Sequence, residues 1–315
     1  MASDRIAGIH HITAIASDPQ RTLDFYTEVM GLRLVKLTVN FDDPGTYHFY
    51  WGDETGTPGT ILTFFPWEHA AAGRGGVGLT TTTSFRVPQA SIAYWTHRLI
   101  EKGVQHEALA RAFGEPMLSF TDPDGMRLAL VGTTTLANEP AWANGDIPQE
   151  HAVRGFHGVT LMLETAAPTG AVLTDVLGYQ EDGREGSTIR YRAGKGAGGV
   201  VDVREAAGFL RGRMGRGSVH HVAFRARDDA EQRDMAAKLV RDHRLSPTDQ
   251  KNREYFRSIY FHEPGGILFE IATDEPGFTV DEPLADLGKG LKLPPFLEPR
   301  RKELEAVLPK LEPVS

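Results

Sequence analysis

Short apolar runs, alternating or continuous and each closed by turn residues, recur along the chain with single helical patterns between them. Residues 9–16 (IHHITAIA) are expected to form a strand. Asp18-Pro19 then opens a helix, with Asp18 as N-cap and proline at the first helical position. Leu23, Phe25, Tyr26, Val29 and Met30 form its apolar face, and Gly31 closes it. Strands are expected at 32–40, 46–52 and 60–65, separated by the turn runs Asp43-Pro44-Gly45 and 53–59. The order is β-α-β-β-β.

That order repeats three more times. The second unit has a strand at 80–87, a helix at 89–102 with Ile92, Trp95, Leu99 and Ile100 apolar, and strands at 104–110, 117–121 and 126–131. The third starts at Gly155; its helix ends in Asp175-Val176-Leu177-Gly178, an echo of Glu28-Val29-Met30-Gly31, and strands follow at 187–192 and 199–204. The fourth starts at Val219, with a helix at 229–241 and strands near Asp249, at 258–263 and at 267–272. The fold class is therefore α+β, four βαβββ modules. They are divided as an N-terminal pair (1–135), a polar, proline-containing linker (136–152) and a C-terminal pair (153–273). A tail (274–315) carries one short amphipathic helix at 299–308.

Composition narrows the functions. With 315 residues, 40% hydrophobic and 24% charged, the chain reads as soluble and globular. A net charge of −8 argues against a nucleic-acid partner. No apolar run approaches the length of a membrane span, and the first residues carry no apolar signal core, so a cytoplasmic protein is expected. The absence of cysteine removes disulfides, thiolate metal sites and cysteine nucleophiles. Metal chemistry in this chain must use histidine and carboxylate.

Two first strands carry such residues. His10-His11-Ile12-Thr13 in the first unit is matched by His220-His221-Val222-Ala223 in the fourth. Side chains alternate along a strand, so His11 and Thr13 share a face while His10 and His220 point the other way on a flat strand. Strand twist or a hydrogen bond from behind the ligands could still involve the latter two, with a place in the core as the alternative. The last strand of the fourth unit, following Pro264-Gly265-Gly266, carries Glu270. Two histidines and one carboxylate with open positions is the ligand set of non-haem iron oxygenases, and it also suits manganese or zinc. Aligning the repeats places Ala129 and Val203 at the position of Glu270, with Thr63, or Phe64 one register on, in the first unit; Gly158 stands at the position of His11 and His221. One site per chain, shared by the first and last units, is expected. His48 matches no repeat position and is read as surface or core; Phe64-Phe65-Pro66-Trp67 is read as core or pocket wall.

The four units resemble the vicinal-oxygen-chelate (glyoxalase/bleomycin resistance/extradiol dioxygenase) superfamily, in which paired modules form open, cup-shaped mixed sheets with a metal inside. The runs His10-His11-Ile12-Thr13, Val29-Met30-Gly31, Gly56-Thr57-Pro58-Gly59-Thr60, Arg154-Gly155-Phe156-His157, Lys251-Asn252-Arg253, Tyr255-Phe256, Tyr260 and Phe269-Glu270 are similar to the hydroquinone ring-cleaving dioxygenases. That resemblance implies His11, His221 and Glu270 as metal ligands and His10, Thr13, His220, Arg253 and Tyr260 as surrounding active-site residues. It implies Fe(II), with Mn(II) as the alternative, and a small aromatic diol and O2 as substrates; no membrane partner is expected from the apolar runs, and exposed sheet edges and the tail point to a homo-oligomer. The competing classes are a glyoxalase-like isomerase or thiol transferase, a catechol-type extradiol dioxygenase and a non-enzymatic binder. Neither Thr63 nor Phe64 can supply the further carboxylate or glutamine those isomerases and transferases usually need.

Overall fold

The computed structural model describes residues 7–134, 136, 139–143 and 146–312. The first unit comprises β1 (Ile9–Ala16), α1 (Pro19–Asp24), β2 (Arg33–Asn40), β3 (Asp43–Gly52) and β4 (Ile61–Pro66). The Asp18 carboxylate accepts from the Arg21 backbone N–H and starts α1, which widens into a π-turn at Phe25–Val29. The second has β5 (Leu79–Pro88), α2 (Ile92–Glu101), β6 (Ala110–Ala112), β7 (Glu115–Thr121) and β8 (Arg127–Thr133). The third has β9 (Phe156–Leu163), α3 (Ala167–Asp175), β10 (Gln180–Glu185), β11 (Thr188–Arg192) and β12 (Val200–Glu205). The fourth has β13 (Ser218–Ala226), α4 (Asp229–His243), β14 (Lys251–Asn252), β15 (Arg257–His262) and β16 (Leu268–Thr273); α5 (Arg301–Val307) lies in the tail.

These strands form two curled, mixed sheets of eight. One runs β14-β15-β16-β13-β1-β4-β3-β2, the other β10-β11-β12-β9-β5-β8-β7-β6. The first unit is thus joined to the fourth, and the second to the third. Each sheet takes one unit from each half, because first strands meet antiparallel at the centre, β1 on β13 and β5 on β9. The connection at 136–152, of which 137, 138, 144 and 145 lie outside the described residues, is docked, with Ile147 and Ala152 buried in the core.

Apolar residues fill the layer between each sheet and its helices, with Tyr26, Trp51 and Phe64 packed ring to ring beneath the first sheet. Three local expectations differ. Asp43-Pro44-Gly45 belongs to β3, and the turn sits at Phe41-Asp42, since Asn40 pairs with Asp43. Residues 104–109 make only an isolated bridge, His106 to Phe120, and the strand begins at Ala110. Gln180–Glu185 is a strand without an apolar face, held at a sheet edge by pairing and by polar contacts such as Asp182 with Arg192. The tail straps across β2. Lys36, fully buried, makes ion pairs with Asp281 and Glu282 and lies 4.8 Å from the Tyr255 ring centroid.

Candidate metal centre

The seam between β1 and β13 carries the two histidine dyads, and its register is interrupted once on each strand. Ile9 pairs with Phe224 and His11 with Ala223, so His10 is an extra residue on β1. Thr13 pairs with His221 and Ala14 with Val219, so His220 is the extra residue on β13. Each dyad therefore sits at a β-bulge, where alternation breaks and adjacent side chains need not diverge. The rings of His10 and His220 turn back onto their neighbours. His10 Nδ1 lies 3.0 Å from His11 Nδ1, and His220 Nδ1 lies 2.8 Å from His221 Nδ1. The expectation that they point away holds for a regular strand; the bulges remove its premise.

With Nδ1 engaged, the other nitrogens face inward. His11 Nε2 and His221 Nε2 stand 3.3 Å and 3.0 Å from Glu270 Oε2. The donor atoms of the three residues all lie within 4.8 Å of one another, and all three side chains are buried. Neither Glu270 oxygen has a hydrogen-bond partner of acceptable geometry, although the residue is wholly buried. A buried carboxylate with no hydrogen bond is costly unless a cation or proton sits against it. Burial pushes the Glu270 carboxyl up, but the two facing imidazoles outweigh it and hold it well below the usual range. Burial pushes His221 down. When His10 and His220 accept at Nδ1, the ligand rings donate there and offer Nε2 lone pairs toward Glu270, the form a metal requires. The three residues fit a metal ion.

Above them opens a cavity of about 450 Å³, within the usual range for small-molecule sites (roughly 300–1,000 Å³). Thr13, His220, Arg253, Phe256 and Tyr260 line it, as do Phe65 and Trp67. Arg253 donates to the Tyr260 hydroxyl (3.2 Å) and to Asp42 (2.9 Å). His10 is not among the lining residues. It is 1% exposed and packs edge-on against Phe256. Burial and the neighbouring His221 take His220 down to about 3.

The chain was compared with known proteins. It is 45% identical over 298 residues to the Bacillus subtilis (strain 168) protein named "Putative ring-cleaving dioxygenase MhqO", covering 95% of this chain and 94% of that one. The profile described as Glyoxalase/Bleomycin resistance protein/Dioxygenase superfamily matches residues 8–130. The chain belongs to this superfamily. The chlorohydroquinone/hydroquinone 1,2-dioxygenase of Sphingobium indicum is 34% identical over 309 residues, covering 96% of this chain and 95% of that one. A crystal structure from Bacillus subtilis superposes with a TM-score of 0.93 at 44% identity, covering 98% of this chain and 99% of that one.

Within this member of the glyoxalase/dioxygenase superfamily, the second sheet repeats the seam. Thr81 and His157 are its bulge residues, at the positions of His10 and His220. Ser84 pairs with Gly158 as Thr13 pairs with His221, which puts Thr82 and Gly158 at the two ligand positions. Thr160 pairs with Asp202 as Ala223 pairs with Glu270. The residue equivalent to Glu270 is therefore Asp202, not Val203; the sequence alignment is one residue out of register in β12. Asp202 is neutralised by Arg190, which also pairs with Glu115, and Glu115 meets His157. With no histidine at its two ligand positions and with its acids paired, this second cup offers no comparable ligand set among the described residues.

His48 is the site residue that sequence reading passes over. It lines the cavity, with Nε2 2.9 Å from Thr63 Oγ1 and Nδ1 2.9 Å from the Tyr50 hydroxyl. Its one sequence signal is parity with Tyr50, two residues along a strand.

Proposed function

We propose that this chain is an Fe(II)-dependent dioxygenase that opens the ring of a hydroquinone or related dihydroxybenzene with O2. The observation that carries the reading is a two-histidine, one-carboxylate cluster at the floor of a cavity walled by aromatic rings and faced by one arginine. The name of the 34% identical relative, a hydroquinone dioxygenase, supports the substrate class. His11, His221 and Glu270 would hold the iron, with manganese as the alternative, and the ion would supply Lewis-acid and redox chemistry toward the phenolic substrate and O2.

The chain's own groups do the rest. Phe65, Trp67 and Phe256 bound the space for a planar ring and exclude water from it. Arg253, braced by Asp42, places a permanent positive charge where a phenolate would carry its negative one. Tyr260 accepts from Arg253 and keeps its own hydrogen to donate to a substrate oxygen; burial raises its hydroxyl pKa and keeps it protonated. His220, accepting at Nδ1 from His221, carries its own hydrogen on Nε2 and donates it to the second substrate oxygen, while His10 serves by holding His11. A cytoplasmic location and a homo-oligomeric state belong to the same reading. The test is O2 uptake by anaerobically purified, Fe(II)-loaded protein. Uptake with hydroquinones is expected, and absence of uptake with every hydroquinone and catechol tried overturns the reading.

A further inference from the structure

The hydroxyl of Thr13 ends a hydrogen-bonded chain whose direction can be assigned. Thr63 gives its single hydroxyl hydrogen to Thr13 Oγ1 (2.8 Å). At His48, 2.9 Å away, Thr63 must therefore accept, so His48 carries its hydrogen on Nε2. His48 Nδ1 is then an acceptor, and the Tyr50 hydroxyl 2.9 Å from it is the donor. Hydrogens run Tyr50 to His48 to Thr63 to Thr13. The Thr13 hydrogen has no protein acceptor among the described residues, yet Thr13 is fully buried, pairs with His221 across the seam and lines the cavity.

The chain is held rigidly. His48 is packed between the rings of Tyr50 and Phe65, with centroids 4.1 Å and 4.4 Å away. Burial, with His11, His221 and Arg253 nearby, keeps it neutral, the one form that both accepts and donates. Thr63 pairs with Thr13 on β4 as Glu270 pairs with Ala223 on β16, and Thr13 and Ala223 each stand two residues past a ligand histidine. The two sides of the seam thus present a carboxylate on one and a hydroxyl relay on the other. Each bond of such a chain polarises the next.

We propose that Tyr50, His48 and Thr63 are positioning residues that fix the Thr13 hydroxyl as a hydrogen-bond donor to a phenolic oxygen of the substrate. The proposal rests on the reading of the cavity as a dihydroxybenzene site, and the experiment separates the two. Thr63→Val, His48→Leu, His48→Gln and the Thr63→Val/His48→Leu double variant are compared with the parent chain, all metal-loaded. Readouts are metal content, kcat/KM for hydroquinone by O2 uptake, and affinity for 4-nitrocatechol by its absorption change. Metal content is expected to hold. Thr63→Val and His48→Leu should each lose about tenfold in probe affinity and kcat/KM, and the double variant no more than either, because one chain is broken once. Glutamine, with one donor and one acceptor, should restore most of the loss.

Additive losses in the double variant, or no rescue by glutamine, overturn the relay in favour of simple packing. Parent-like probe binding in Thr63→Val and His48→Leu overturns it while leaving the dioxygenase reading intact. The expected pattern in probe affinity without any turnover by the parent keeps the relay and removes the dioxygenase reading. No probe binding and no turnover by the parent overturns both.

Discussion

Glu270 is the residue on which the centre depends. It is buried, ionised and without hydrogen bonds, so its charge is matched only by His11, His221 or a cation between them. Glu270→Gln and His221→Ala should each abolish stoichiometric metal binding, read by metal analysis of purified protein, while circular dichroism stays that of the parent. His10 and His220 act one bond further out. His10→Ala removes the group that orients His11, and a loss of about 10–100-fold in metal affinity is expected from a competitive chelator titration. His10 does not line the cavity, so KM of the fully loaded enzyme should change little. His220→Ala should weaken metal and substrate binding together, since His220 faces both.

At the scale of elements, the bulges in β1 and β13 let neighbouring histidines cooperate, and the same bulges recur in β5 and β9, where the described residues offer no ligand set. They belong to the scaffold, and the centre is built on them. In the second cup the Glu115 carboxyl is half-buried. Burial alone would raise it, but His157 and Arg190 outweigh burial and bring it from 4.5 to about 2. A carboxyl depressed by folding contributes stability that is complete above about 4.5 and is lost as pH falls toward 2. Thermal unfolding followed from pH 5 to pH 2 should therefore show a shallower acid slope in Glu115→Gln than in the parent. The tail offers a second check. Lys36→Ala leaves Glu282 buried and unpaired beneath the strap. Breaking such a pair costs about 3–5 kcal/mol, and chemical denaturation should show it, with hydrogen exchange rising around 278–290.

Across the whole molecule the candidate metal ligands come from both ends of the chain. His11 lies on the first strand and Glu270 on the sixteenth, yet both belong to one sheet. A metal ion bound there ties the first unit to the fourth and favours the folded state by mass action. At a free metal concentration of a thousand times Kd this is worth about 4 kcal/mol. Anaerobic Fe(II) should raise Tm in a concentration-dependent way, a chelator should reverse the rise, and Glu270→Gln should show none.

How much of this was legible in advance can be traced residue by residue. The histidine dyads and Glu270 stood out because imidazole pairs and a carboxylate recur, or fail to recur, at matched places in repeated units. Strands such as Ile9–Ala16 announced themselves by apolar patterning, which reports a local balance between backbone geometry and burial. β10 did not, because its residues are polar and its order comes from a partner strand. The residues that brace the centre escaped for a related reason. A bulge is a mismatch between two strands, and no single strand's sequence contains it; the register that sets Asp202 against Arg190, and the reach of His48 to Thr63, exist only once strands lie side by side. Local composition and spacing thus determined the four units and the chemistry available to them, and with the family resemblance they pointed to the candidate ligand set. Tertiary structure alone decided which units share a sheet, which way His10 and His220 turn and which hydroxyl faces the cavity, since each depends on pairings between segments far apart in the chain.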